Sequence, residues 1–313
     1  MLIDLPDYTS ANPWQSKTID TCAPMAVTRR IDGNISKVKF LHLGWEDIFF
    51  GECTSEEQAN AQAHKVGDQI RDWSRTAKII WTVHNFTSHW LTFKYAESIL
   101  RSVLMECASL IILMSPKHIS VIDPAYRDKV RIVPHYIEPN PYESLQRRST
   151  PTYFRYGASR RELGQGLYES ILSDGSVDKF VSDERLSAEK DSERELLVKR
   201  KFSSSEAWLY ARLSNFTTFF REASLNSGVF NFYLGNRLPI FSCREAVKYC
   251  DFPAFYSAFF SNDPDDKNAA ISGELIESAL SLIDSNSEEL DDFLLKRSPE
   301  KVSAQFWHAL REL

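Results

Sequence analysis

The sequence predicts an α/β protein of two domains, each built on a mostly parallel sheet, and three observations carry that reading. The stretch Ile79-Ile80-Trp81-Thr82-Val83-His84-Asn85-Phe86 is an apolar, β-branched run that ends in a polar pair. Strands that are apolar almost throughout are buried on both faces, as in a parallel sheet flanked by helices. Around this run the chain alternates strand-like and helix-like segments, the order that right-handed crossovers produce. At 313 residues the chain also exceeds the usual size of one core, so two domains of roughly 150 residues are expected.

Taken in order, residues 1–5 read as a first strand, closed by Pro6-Asp7. Asn12 is a candidate N-cap with Pro13 at the first helical position, a helix start directly after that strand. Residues 38–43 read as the next strand, which delivers Gly44-Trp45-Glu46-Asp47 to the sheet's carboxyl edge. Ser55 caps an amphipathic helix to Trp73, with Glu57 close behind the cap. Ser88-His89-Trp90 follows the His84 strand and leads into a helix over 91–107. Its Leu91, Ile99, Leu100, Val103 and Leu104 form an apolar face. Residues 110–114 read as a strand, 117–122 as a helix and 130–133 as a strand.

Pro134, Pro139, Pro141 and the polar run 146–151 mark a connection, which puts the domains at 1–145 and 146–313. The second half restarts with the aromatic strand Thr152-Tyr153-Phe154-Arg155-Tyr156. The charge-rich segment 182–200 reads as an exposed helix. Further helices are expected over 206–213, after Ser227-Gly228, over 269–283 and over 302–313, the last of these able to return to the first domain. Strands are expected over 215–220, 238–241 and 254–257.

Composition narrows the function. With 37 Lys and Arg against 43 Asp and Glu, the net charge is −6. That argues against general nucleic-acid binding, which needs a basic face. The five cysteines are odd in number, scattered and without a C-x-x-C pair. Neither a disulfide framework nor a zinc site is expected, and a reduced cytosolic setting fits. The first residues lack the basic and apolar regions of a signal peptide. No apolar stretch approaches the roughly 20 residues that span a bilayer.

Ligands of open α/β sheets collect beyond the carboxyl ends of the strands, which makes His84 and Asn85 site candidates. The alternative for His84 is a packed core or loop histidine. Trp45 with Glu46 and Asp47 suits a sugar-binding or acid–base site, against the alternative of solvated turn carboxylates. Arg160 and Arg161, just after a strand and a glycine, can clamp a diphosphate with forked, charge-assisted bonds, or form a solvated basic turn. Ser227-Gly228 opens an apolar helix whose first amides can face an anion, a phosphate seat.

In this order the landmarks resemble bacterial glycosyltransferases of the GT-B architecture, the kind encoded among exopolysaccharide biosynthesis genes. The matching pieces are Leu5-Pro6 with Asn12-Pro13-Trp14, Leu41-His42-Leu43-Gly44-Trp45-Glu46, and Trp81-Thr82-Val83-His84-Asn85 followed by His89. Val133-Pro134-His135 and Leu225-Asn226-Ser227-Gly228 with Pro239 complete them. The chain departs from the family at Gly44, where a second histidine is usual, and at Leu163, which holds the place of a lysine.

The resemblance implies two Rossmann-like domains facing across a cleft, an acceptor-side first domain and a second that binds the nucleotide sugar. It implies a metal-independent hexosyltransferase with no cofactor, using a UDP- or GDP-linked sugar and passing through an oxocarbenium-like transition state. His84 would contact the donor sugar or the incoming hydroxyl, and Glu46 would be the general base of an inverting reaction. Arg160, Arg161, Glu222, Asn226, Ser227 and Gly228 would bind the donor, and Trp45, Asn85 and His89 the acceptor. That acceptor would be a lipid-linked saccharide in extracellular polysaccharide synthesis, met at the inner face of the cell membrane. The apolar face of the 91–107 helix, with Lys94 and Arg101, is the candidate for peripheral membrane contact, with core packing as the alternative. Two other readings of the same chain are a non-catalytic nucleotide-sugar or glycan-binding subunit and a nucleotide-sugar epimerase.

Overall fold

The computed structural model describes residues 1–5, 14, 16–29, 38–85, 93–156, 165–183, 186, 188–220, 227–261 and 271–313, with backbone alone at 47, 48, 165 and 166. They form two compact units, Met1–Tyr136 with Pro299–Leu313, and Ile137–Ser298. The expected helix start at Asn12-Pro13 lies outside the described residues.

The first unit contains β1 (Leu2–Leu5), β2 (Val27–Thr28), β3 (Phe40–Leu43), α1 (Glu56–Ser74), β4 (Lys78–Thr82), α2 (Lys94–Cys107), β5 (Ala108–Leu113) and β6 (Val130–Ile132). The strands form one parallel sheet in the order β2-β1-β3-β4-β5-β6. Ile79, Ile80, Trp81 and Thr82 of β4 are each no more than 1% exposed, as a central strand covered on both faces requires. Ser55 caps α1 by accepting from Gln58 N–H at 3.2 Å. The segment expected as a helix over 117–122 is a tighter 3-10 turn, Pro116–Val121, capped by Ser115.

The apolar face of α2 does not look outward. Ala96, Leu100, Val103 and Leu104 are buried, and Arg101 is turned into an ion cluster described below. The core-packing alternative therefore describes this face, because a two-helix layer covers the sheet and takes its apolar side.

The second unit contains β7 (Thr152–Tyr156), α3 (Gln165–Ser173), β8 (Asp178–Ser182), β9 (Lys190–Asp191), β10 (Glu195–Val198), α4 (Ser204–Leu213) and β11 (Phe216–Phe219). It continues with α5 (Gly228–Gly235), β12 (Ile240–Cys243), α6 (Arg244–Val247), β13 (Phe260–Ser261), α7 (Gly273–Ser285) and α8 (Ser287–Leu295). Its sheet runs β13-β12-β11-β7-β8-β10-β9, parallel except where β9 meets β10. Two expectations are corrected here. The 182–200 segment holds strands instead of a helix: Lys190 and Lys179 both pair with Glu195, at 2.8 and 3.0 Å, so its charges are cross-strand partners near a sheet edge. The expected strand over 254–257 is a 3-10 turn, Ala254–Phe259, because Pro253 sets the entry and Ser257 bonds back to the Ala254 carbonyl at 2.7 Å.

Residues 137–148 are tied into the second unit, earlier than the expected division at 145/146. Asn140 donates to the Trp208 carbonyl at 3.0 Å, and Arg147 to the carbonyls of Ser214, Asn236 and Arg237. Burial first, and then the neighbouring Arg212 guanidinium, lowers Arg147 to about 10. Gly235 is obligatory at this junction, since a Cβ there would stand 2.6 Å from the Glu138 carbonyl oxygen. The last helix, α9 (Pro299–Arg311), returns to the first unit. Its Val302, Phe306, Trp307 and Leu310 join Leu2, Trp14, Ile19, Phe40 and Ile80 in one core. Among the described residues no helix is long and apolar enough to cross a membrane.

Candidate functional site

Both sheets have a point where the chain reverses its direction of winding, between β1 and β3 in the first and between β7 and β11 in the second. Crevices form at the carboxyl side of such points. In the first unit three polar side chains cross this line inside the sheet. Asp4 of β1 is the register partner of His42 of β3. His42 bonds Asp4 Oδ1 through Nδ1 at 2.6 Å and Thr82 Oγ1 through Nε2 at 2.7 Å, and all three residues are fully buried. The carboxylate accepts from Nδ1–H, which leaves Nε2 to accept the Thr82 hydroxyl proton.

His84 follows β4 by two residues and is 7% exposed. Its ring lies flat on Trp45 with centroids 3.7 Å apart, and it meets Trp14 edge-on at 4.8 Å. Burial first, and then the neighbouring His42 and His135 imidazoles, hold His84 well below the usual histidine range. Its Nε2 is buried and has no hydrogen-bond partner among the described residues. Such an orphan costs about 1–3 kcal/mol, which native structures retain chiefly where a ligand or water completes it. Gly44 sits against that atom: a Cβ built on it would be 3.5 Å from Nε2.

Glu46 begins a 3-10 turn, Glu46–Phe50, directly after Trp45. Its buried carboxylate pairs with Arg101, which also pairs with Glu97 at 3.0 Å and donates to the Asn85 carbonyl at 2.8 Å. One guanidinium thus fastens the turn carrying Trp45 to the segment carrying His84 and Asn85. Desolvation raises the Glu46 carboxyl, and Arg101 opposes that rise. The side chain expected to be a free base is therefore a partner in a closed ion cluster.

In the second unit, Ser227 caps α5 by accepting from Phe230 N–H at 3.4 Å, and Gly228 is the first helical residue. Tyr233 on this helix accepts from Tyr156 N–H at 3.2 Å, which sets α5 at the carboxyl end of β7. Close by, Arg155 pairs with Asp183 at 3.2 Å and covers the Tyr168 ring at 4.0 Å, all three buried. Arg160, Arg161, Glu222 and Asn226, and His89 in the first unit, lie outside the described residues. Among the described residues no group of three or more His, Cys, Asp or Glu is placed to hold a metal ion.

The structure thus brings His84, Trp45, Asn85 and Glu46 into one neighbourhood, and Ser227 with Gly228 into another. The residue-by-residue reading of the sequence missed Asp4, Thr82 and Arg101 as parts of it and used His42 and Trp14 only as landmarks. The signal available was a polar residue at the matching position of two apolar strands, Asp4 and His42.

No family model matches the chain, and no curated protein matches it. Solved structures do. An α,α-trehalose-phosphate synthase (UDP-forming) from Burkholderia vietnamiensis is 12% identical, with a TM-score of 0.54, over 88% of this chain and 74% of that one. Anabaena Alr3699/HepE in complex with UDP is 11% identical, with a TM-score of 0.55, over 99% of this chain and 85% of that one. The same protein with UDP and glucose gives 10%, 0.56, 92% and 85%. Identity this low speaks for fold alone. With its two mostly parallel α/β sheets, the chain consists of two Rossmann-like domains like those of GT-B glycosyltransferases.

Proposed function

We propose that the protein is a glycosyltransferase that moves a sugar from a nucleoside diphosphate to a saccharide hydroxyl. The observation that carries this is the His84 imidazole, buried between two indoles at a sheet's carboxyl edge with Nε2 left unpartnered. It is supported by solved structures of like fold that hold UDP or are UDP-forming. In this reading the first-turn amides of α5, with Ser227 and Gly228, face the diphosphate, where a helix dipole and open N–H groups favour negative charge. Arg160, Arg161, Glu222 and Asn226 complete the donor side, and the donor nucleotide is UDP or GDP. His84 addresses a sugar hydroxyl, while Trp45, Asn85 and His89 receive the acceptor. Glu46, held by Arg101, shapes this edge and acts as the general base only if the ion pair opens.

The finer reading keeps the acceptor lipid-linked, met at the inner face of the cell membrane during extracellular polysaccharide synthesis, and rests on the motif resemblance. A second reading, a non-catalytic subunit that binds the nucleotide sugar or glycan, is favoured by the Arg101 pairing of Glu46, because the expected base is not free. Incubation with a panel of UDP- and GDP-sugars, with and without saccharide acceptors, separates the two. Release of nucleoside diphosphate that depends on acceptor supports transfer, binding without turnover supports the second reading, and binding of neither nucleotide sugar nor saccharide overturns both.

A further inference from the structure

We propose that Tyr168 is a positioning residue for the donor diphosphate: together with Arg155 and Asp183 it fixes the start of α3 over the carboxyl ends of β7 and β8. The proposal rests on the nucleotide-sugar reading of the second unit and adds residues that act on the donor through others.

Arg155 is next to last in β7, and its register partner on β8 is Val181. Asp183 lies two places beyond Val181, so its side chain falls on the same face as that of Arg155. The sheet alone sets these two, since the Asp183 N–H also donates to the Val198 carbonyl of β10 at 3.0 Å. Tyr168 comes from the first turn of α3. Its hydroxyl donates to Asp183 Oδ2 at 3.1 Å, the oxygen that also stands 3.2 Å from Arg155 Nε. Its ring carries the Arg155 guanidinium 4.0 Å from the centroid. Each of the three thus touches both others, and none is more than 5% exposed. Burial holds the Tyr168 hydroxyl well above the ordinary phenol range, so it stays a donor.

Helix α3 also rests on the core through Leu167, Ile171 and Leu172. Apolar contact of that kind is non-directional and tolerates sliding along the sheet. A hydrogen bond and a ring–cation contact are directional. Stability alone does not call for the triangle, because apolar side chains of like volume often serve as well as a buried ion pair. What the triangle supplies is a single position for the start of α3. The chain that joins β7 to α3, 157–164, carries Arg160 and Arg161, the expected diphosphate clamp. Arg155 holds the strand before that chain and Tyr168 the turn after it, so one clasp governs both of its ends. Ligands of such sheets collect at this carboxyl edge.

The test is calorimetric titration of the full chain with UDP and GDP, read on whichever nucleotide the wild type binds more tightly. Tyr168→Phe removes only the hydroxyl and is expected to weaken that nucleotide by at least about fivefold, well inside the roughly hundredfold that an ångström of misplacement can cost. Asp183→Asn is expected to do the same, and the two together no more than either alone, since both open one clasp. In an Arg160→Ala chain the loss caused by Tyr168→Phe is expected to shrink, which a general loss of stability would not produce. Circular dichroism and thermal melts check that the variants fold. Unchanged affinity in either single variant, or a loss of the same size in the Arg160→Ala chain, overturns the clasp and leaves the donor reading standing. A wild type that binds neither UDP nor GDP overturns the donor reading, and the clasp with it.

Discussion

The imidazole of His84 is stacked on the indole of Trp45, within 6° of parallel and with centroids 3.7 Å apart. The stack dries the imidazole on one face. Trp45→Ala is expected to cost at least about 1 kcal/mol of stability, the range of an aromatic pair with its burial. It should also move the protonation midpoint of His84 up toward the ordinary 6.5, because water reaches the ring. Proton NMR of the imidazole across a pH series reads the midpoint, and an unmoved midpoint would show that Trp45 is not what excludes water.

His84→Ala is expected to leave the fold intact and lower glycosyl transfer by at least about tenfold, the scale of a removed acid–base or substrate contact. Steady-state release of nucleoside diphosphate measures it. Unchanged transfer would return His84 to the role of a packed histidine.

The pH dependence of stability has a definite sign. Burial lowers the folded-state value of His84 below 6.5, so between the two values the unfolded chain binds more protons than the folded one. This contribution makes the protein less stable as pH falls below 6.5, levelling off once the folded-state value is passed. Thermal melts of the wild type and His84→Phe from pH 7.5 down to about 5 should therefore diverge, with the wild type losing more. Parallel curves would contradict the direction.

Arg101 neutralises two buried carboxylates, and its removal strands them. Arg101→Met is expected to cost about 3–5 kcal/mol, as for other broken buried pairs. The double variant Arg101→Met with Glu46→Gln should recover part of that loss. Urea unfolding followed by tryptophan fluorescence measures both, and a double variant no better than the single one would remove Glu46 from the account.

On the donor side, Arg160→Ala is expected to weaken UDP by about tenfold, the equivalent of roughly 1.4 kcal/mol. Ser227→Ala should cost about 1 kcal/mol in stability through the lost cap of α5 and weaken UDP as well. Calorimetric titration tests the pair, and unaltered affinity in both would remove the diphosphate from this edge.

Strand ends and caps were the legible features of this sequence. β7 is read to its last residue because Pro151 and a polar turn bracket an aromatic run, and Ser55 announces α1 by its own side chain. β9 and β10 are not legible, since three apolar residues amid dense charge look like an exposed helix until Lys179 and Lys190 meet Glu195. At the site, the rule that places ligands beyond strand ends finds His84 and Trp45. It cannot find the Asp4–His42–Thr82 line, in which Asp4 and His42 are register partners and Thr82 meets His42 from two positions beyond its partner on β4. The pairing of Arg101 is not legible, because Glu46 comes from a distant turn and the spacing of Glu97 on its own helix does not reveal that both carboxylates are buried.

Helix α9 gives the first unit a late completion. Phe306 meets the edge of His42 at 5.8 Å, and Trp307 donates to the Ile19 carbonyl at 2.8 Å. During synthesis, the floor beneath His42 is therefore absent until residues 299–311 have emerged, which follow the last residue of the second unit. A nascent chain must carry the core of Leu2, Phe40 and Ile80 without its α9 residues throughout that interval. Loss of α9 by proteolysis would accordingly damage the first unit's site while leaving the second unit's own core whole.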